Sequence, residues 1–396
     1  MSHDHEQTST ISRFYLMRGG PVYQWMVKHR LHGGETGYVG RRSLLLILVT
    51  WVPLLLLSLA QGLALPGTIK LPFLYDFATH VNFLVALPLL IFAEMVVEPA
   101  VSRGLSEFLE RGLIRDNDRE AYDSILAWAS GKCSSGRSEM VIAVLAMIPF
   151  IFARGAHWTE RLNGLWVLAP SGKSLSLAGF WVFFVSAFFV RAILFRWVWR
   201  LIIWTRLLSR LARLGLNTVA THPDRAGGLG FVGEVETTFG VLSFAIGAIT
   251  SADVASNILF EHSTLASEKF VVIAFIVGAT LVFLLPLLTL AGTLHRTRRK
   301  GLIEYGALAS RYDQQFDRKW VQSRNSEGEP LLGTPDIRSL ANLGISFQTV
   351  HEMRFLPIDR RSVMILIISA ALPMLPLVFL DPRALEIAEE LLSRLL

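Results

Sequence analysis

The chain has 396 residues, 52% of them hydrophobic and only 18% charged, and carries a net charge of +6. A balance this apolar excludes an ordinary soluble domain. A single cysteine, Cys133, excludes a disulfide framework and a thiolate zinc cage.

The apolar residues are gathered into runs of about 20, the length that crosses a hydrocarbon core of about 30 Å. A charged leader, residues 1–42, comes first. The first run opens only at Ser43, too far along for a cleavable signal peptide, so the leader is expected to be retained. Spans are expected at Ser43 to Leu65, Phe73 to Val97, Met140 to Ala156, Leu177 to Ile203, Thr237 to Phe260, Glu268 to Leu290 and Ser362 to Leu380. The expected fold class is therefore all-α, a polytopic membrane bundle of about seven transmembrane helices. Six of them fall within 43–290, interrupted by loops at 98–139 and 204–236; an amphipathic loop at 291–361, the last span at 362–380 and a terminal amphipathic helix at 381–396 follow.

Lys and Arg set the orientation. The leader and the loops on its side hold about 28 of them and the opposite loops with the C-terminus about 6, which places the N-terminus on the cytoplasmic side of the membrane and the C-terminus outside. The positive balance is a by-product of this asymmetry rather than a nucleic-acid footprint, and no RRM, zinc-finger or helix-turn-helix pattern accompanies it. No nucleic acid and no cofactor is expected. The expected partners are the bilayer, anionic lipid headgroups at the basic face, a small solute or ion, and a second copy of the chain in a homo-oligomer.

Charges inside the spans need a partner or a purpose, because each costs about 2.5 to 3.5 kcal/mol at mid-bilayer on insertion scales. Glu94 in the second span and Arg191 in the fourth fall at similar depth; Arg191 lies about 21 Å from the outer end at the helical rise. Glu98 and Arg196 follow at comparable offsets. Two stacked pairs are expected, Glu94 with Arg191 and Glu98 with Arg196, acting as clamp or gate. A second group gathers near the opposite surface: Asp76 and His80 one helical turn apart, His157, and Asp253 with Asn257. His and carboxylate at that spacing can share a metal, can hydrogen-bond between helices, or can line a vestibule for a solute.

The loop Thr221 to Glu234 reads THPDRAGGLGFVGE and contains Gly228-Leu-Gly230-Phe-Val-Gly233, the outline of a dinucleotide fingerprint. That fingerprint works only between a β-strand and a helix. Here an arginine-rich helix precedes it and a span follows, so a tight turn back into the membrane is the expected structure. A second reading makes His222, Asp224, Arg225, Gly227, Gly228 and Gly230 an anion nest for a lipid headgroup or phosphate. Together with MRFLPIDRRS, Met353 to Ser362, this loop resembles a functionally uncharacterised family of bacterial multi-pass membrane proteins; the resemblance implies a shared fold and lends no activity.

The fifth span repeats Ser243, Gly247, Ser251 and Ala255, a small-residue stripe that lets another helix approach closely and should make it central. Pro53, Pro88, Pro149, Pro286, Pro373 and Pro376 interrupt five spans, at kinks whose freed carbonyls need other donors. Beyond the sixth span, Leu302, Tyr305, Leu308, Tyr312, Phe316 and Trp320 mark an amphipathic helix on the bilayer or against the other loops. Permeation of a small solute or ion is the working functional expectation. A metal-dependent enzyme at the outer leaflet and a non-catalytic scaffold or sensor are the alternatives.

Overall fold

The computed structural model describes residues 14, 16, 19, 21–28, 36–67, 69–152, 164–169, 174–261, 263–322 and 335–380. Among them the only extended pairings are isolated bridges, Leu71 with Leu165 and Leu168 with Leu175; the rest of the regular structure is helical. Six stretches are long and apolar enough to cross a bilayer: Tyr38–Ala60, Phe77–Glu110, Leu177–Arg213, Phe231–Phe260, Leu265–Gln322 and Arg360–Leu380. The protein is an all-α, multi-pass membrane protein. The expected third span is described as the 17-residue helix Gly136–Phe152, and the remainder of that expectation, with His157, lies outside the described residues. So does the expected terminal helix at 381–396.

In chain order, α1 (Pro21–Lys28) precedes α2 (Thr36–Thr50) and α3 (Val52–Ala60), which join at Trp51 into the first span. Pro53 has no N–H and so leaves the carbonyl of Val49 without its helical donor. The Trp181 indole supplies one at 3.0 Å. After a 3-10 turn (Phe73–Tyr75), the second span runs through α4 (Phe77–His80), a π-type stretch (Val81–Ala86) and α5 (Leu87–Glu110). Helices α6 (Arg119–Cys133) and α7 (Gly136–Phe152) follow. The next span is built the same way as the second: α8 (Leu177–Trp181), a π-type stretch (Val182–Ser186) and α9 (Ala187–Arg213). Its wider winding sits where Ser186 Oγ donates to the Thr50 carbonyl, 2.7 Å away across to the first span.

Helix α10 (Phe231–Thr237) leads into α11 (Gly240–Phe260), the most enclosed of the spans, which packs on α4, α5, α12 (Leu265–Phe316) and α14 (Arg360–Ala371). Its small residues permit the approach. A Cβ on Gly240 would stand 2.7 Å from Ser369 Oγ, and one on Gly247 3.1 Å from the Ala370 carbonyl. The amphipathic segment after Leu290 continues the expected sixth span without a break, so α12 runs 52 residues, about 78 Å at the helical rise. It therefore projects past the bilayer on the basic face instead of lying on it, and α13 (Pro335–His351) packs along the extension. No proline follows Pro286 in α12 to stop it, and the Thr264 capping box fixes only its start. The largest apolar core joins α5, α6, α9, α10, α11 and α12 near that face, centred on Phe108, Tyr122, Trp204, Leu207, Leu211 and Phe239.

Candidate functional site

Charged side chains from four helices, α2, α5, α7 and α9, converge toward the basic end of the bundle beside the C-terminus of α6. Arg42 of α2 donates from Nη1 and Nη2 to the two carboxylate oxygens of Glu94 on α5, at 2.6 and 3.0 Å, with both side chains about nine-tenths buried. Arg196 on α9 lies within electrostatic reach of Glu94, Arg42, Arg200 and Glu139 of α7. Arg200, 2% exposed, donates from Nη2 to the Cys133 carbonyl at 2.9 Å and so closes the C-terminus of α6, where a cation is favoured by the helix dipole. Glu98 and Arg196 both act electrostatically on the Cys133 thiol. Burial pushes that thiol up and the Arg200 guanidinium opposes it. Three carboxylates and three guanidinium groups are thus collected in one desolvated place. Their formal charges cancel, the condition under which buried ions are tolerated.

The expected partnership of Glu94 with Arg191 is corrected by this arrangement. Arg191 donates Nε to the Ala187 carbonyl at 3.0 Å and Nη2 to the Phe183 carbonyl at 3.2 Å, both on its own span. It shares a helical face with Val198 and Ile202, which are exposed, and points back along that face. Glu94 took its bidentate partner from the first span, Arg42 of α2, and the α9 guanidinium within its reach is Arg196, not Arg191. The sequence reading missed Arg42, assigned to the leader, and also Glu139, Arg200 and Cys133. The available signal was depth: Arg42 stands directly before the first apolar run, level with the end of the second.

On the opposite side Asp76, His80 and Asn257 each find a separate partner. Asp76 caps α4 by accepting from Thr79 N at 3.2 Å and Thr79 Oγ1 at 2.7 Å, and from the Trp166 indole at 2.9 Å. His80 turns away from it. Its Nδ1 accepts from the Trp51 indole at 2.9 Å, leaving Nε2 as the donor to the Leu74 carbonyl at 3.3 Å, and Phe73 packs edge-on against the ring at 5.1 Å. Asn257 donates to Glu268 at 3.3 Å. Asp253 is exposed, with Asp76 within electrostatic reach. Among the described residues no three His, Cys, Asp or Glu side chains come together as metal ligands would.

The glycine loop is a closed turn filled by its own carboxylate. Asp224 Oδ1 accepts from the amides of Ala226 (2.8 Å) and Gly228 (3.1 Å), Oδ2 accepts from Gly230 N (2.9 Å), and His222 Nδ1 stands 2.8 Å from Oδ1. Burial pushes the Asp224 carboxyl up, but these amides and the imidazole outweigh it and hold the group below the usual carboxylate range. The amide cluster expected to hold an outside anion therefore already holds an anion. Arg225, the expected anion partner, pairs with Glu352 at 2.9 Å, and its carbonyl accepts from Arg354 N at 2.8 Å. Gly227 and Gly228 have φ of 64° and 94°, and Gly227 abuts Met353. Gly233 touches the backbone of Pro357. The two segments singled out in the sequence, the glycine loop and MRFLPIDRRS, are two halves of one clasp.

Comparison with protein-family profiles, with characterised proteins and with solved structures returned no match. The chemistry of the site therefore rests on its own residues. A buried, balanced ion cluster can lock helices together, or it can open when one member changes partner.

Proposed function

We propose that this protein passes a small solute or ion across the bacterial inner membrane, and that the ion cluster around Arg42 and Glu94 is its closed gate at the cytoplasmic end. The observation that carries this reading is the bidentate Arg42–Glu94 pair, which ties the first span to the second where both leave the hydrocarbon. Two features support it. The second and fourth spans each carry a π-type stretch in their opposite halves, a winding often found at functional sites. Arg196 and Glu139 lie close enough to offer Glu94 and Arg42 other partners, which is what an ion-pair gate requires. The lysine and arginine asymmetry supports a cytoplasmic N-terminus, and the glycine-loop resemblance supports a shared family fold.

The test is accessibility. In a Cys133→Ser background, Leu87→Cys and Ser186→Cys are labelled with a membrane-impermeant maleimide from each side; both positions are fully buried between spans. Protection in the otherwise native chain and labelling from the basic side in the Glu94→Gln variant is the expected result. A folded Glu94→Gln protein that stays protected from both sides makes the cluster a structural clamp and ends the permeation reading.

A second reading, a scaffold or sensor, is favoured by the projecting α12 and α13, where Ile303 and Ile345 stand exposed beyond the bilayer. A stable partner recovered with the wild-type chain and lost with Ile303→Asp and Ile345→Asp supports it.

A further inference from the structure

The basic face also holds a cavity of about 650 Å³, separate from the ion cluster. Its walls are the end of α9, the turn that follows it through Thr218, and the stretch of α12 from Thr289 to Lys300. Four cations line it, Arg115, Arg213, Arg296 and Lys300, and no carboxylate does. Arg115 and Arg213 have no acidic partner among the described residues. Arg296 gives one N–H to Thr293 at 3.4 Å, and among the described residues the acidic neighbour of the exposed Lys300 is Glu304, 3.8 Å away on the same helix. Like charges gathered around one volume repel one another, a cost that a bound anion removes.

Position and shape narrow the anion. On α12, Thr289, Thr293, Arg296, Thr297 and Lys300 recur at three and four residues, so hydroxyl donors and cations share one helical face. Thr289 lies about 36 Å along α12 from Leu265, at the inner limit of a 30 Å hydrocarbon core, and Arg296 and Lys300 lie about 10 and 16 Å further on. That is the level of lipid phosphates and the water beyond them. The volume is in the range of small-ligand sites. Guanidinium forks match the paired oxygens of a phosphoryl group, and threonine hydroxyls add donors to the same oxygens.

We propose that this cavity binds a phosphate-bearing anion, with Arg213 and Arg296 gripping the phosphoryl oxygens and Arg115 and Lys300 flanking them. An anionic phospholipid headgroup and a soluble phosphate compound share that chemistry. The proposal uses none of the residues of the gate, so either can fail without the other.

The full chain, purified in neutral detergent, is titrated calorimetrically with sodium phosphate against sodium chloride at equal ionic strength. A second arm titrates detergent-dispersed phosphatidylglycerol against phosphatidylcholine. Saturable binding is expected in at least one arm, weakened about tenfold or more by Arg213→Gln with Arg296→Gln and unchanged by Arg299→Gln, an exposed cation outside the cavity. Saturation by phosphate assigns a soluble ligand, and saturation by phosphatidylglycerol alone assigns a headgroup. Binding that never exceeds the chloride and phosphatidylcholine controls overturns the proposal. So does equal weakening by Arg299→Gln, which shows a diffuse field rather than a site. Should the double glutamine variant not fold, Arg213→Lys with Arg296→Lys keeps the charge, loses the forks and reads the same comparison.

Discussion

Arg42 grips both carboxylate oxygens of Glu94, joining a residue at the edge of the N-terminal leader to one near the end of the second span. Removing one partner leaves the other charged and desolvated, which costs about 3 to 5 kcal/mol, whereas removing both leaves no orphan. Arg42→Met and Glu94→Leu are each expected to lower the thermal midpoint in detergent sharply, and the double variant to recover much of the loss. The neighbouring Arg196 and Glu139 act on the same pair, so the coupling energy measures the network as well as the contact. Additive losses would show that the pair contributes no mutual stabilisation.

Trp181 donates to the Val49 carbonyl that Pro53 leaves open. In a membrane interior that carbonyl has no water to turn to. Trp181→Phe keeps an aromatic ring, smaller than the indole, and loses the N–H, and the lost hydrogen bond is expected to cost about 1 to 3 kcal/mol. Pro53→Ala restores the helical donor, so in its background Trp181→Phe should cost clearly less. Chemical unfolding of the four proteins in one detergent checks this; an undiminished loss in the Pro53→Ala background would assign the effect to ring packing.

Gly233 lies so near Pro357 that a Cβ would stand 2.3 Å from its carbonyl oxygen and 3.0 Å from the Ile358 Cα. Those neighbours are backbone and cannot swing aside as a side chain can. Gly233→Ala is therefore expected to force the clasp open at a cost of about 1 to 3 kcal/mol. Gly278→Ala in α12, where a Cβ meets nothing within 4 Å, should instead stabilise by up to about 1 kcal/mol through helix propensity. Opposite shifts of the thermal midpoint are the expected readout. A neutral Gly233→Ala would mean that the two halves of the clasp are not held in register.

The class of fold was legible because a bilayer imposes a length on every apolar run, and runs of that length survive in the sequence whatever packs beside them. Which helix is central was legible as well, since Gly247 in the small-residue stripe is small for the same reason that α14 lies close. Partner choice was not. Depth along a span places Glu94 and Arg191 at one level, but helix rotation and neighbour order decide contact, and these turned Arg191 outward and brought in Arg42. His80 shows the same limit: its spacing from Asp76 permits a shared ligand, while the indoles of Trp51 and Trp166, distant in sequence, take each group separately. The basic cavity was hidden for a further reason, because its cations come from the loop before α6, from the end of α9 and from α12, and no local pattern unites them.

Asp224 gives the protein an acid-sensitive turn. Its carboxyl is held below the usual range in the folded protein, where the amides of Ala226, Gly228 and Gly230 and the imidazole of His222 favour the anion; in the unfolded chain it titrates in the usual carboxylate range. A depressed folded value means that the stabilisation is fully present above the unfolded value and is lost as pH falls through the folded one. The loop is thus expected to stay closed at pH 5 and above and to loosen progressively below about pH 4. Loosening frees the Arg225 contacts with Glu352 and Arg354, so the whole clasp should respond together. Asp224→Asn keeps the size but offers one neutral acceptor where two charged oxygens held three amides. It is expected to cost about 1.5 to 3 kcal/mol at neutral pH and to flatten the acid limb of the profile. Hydrogen exchange of the Gly228 and Gly230 amides, followed from pH 6 to pH 3 in both proteins, reads this directly. Exchange that rises equally in the two would place the acid response elsewhere in the bundle.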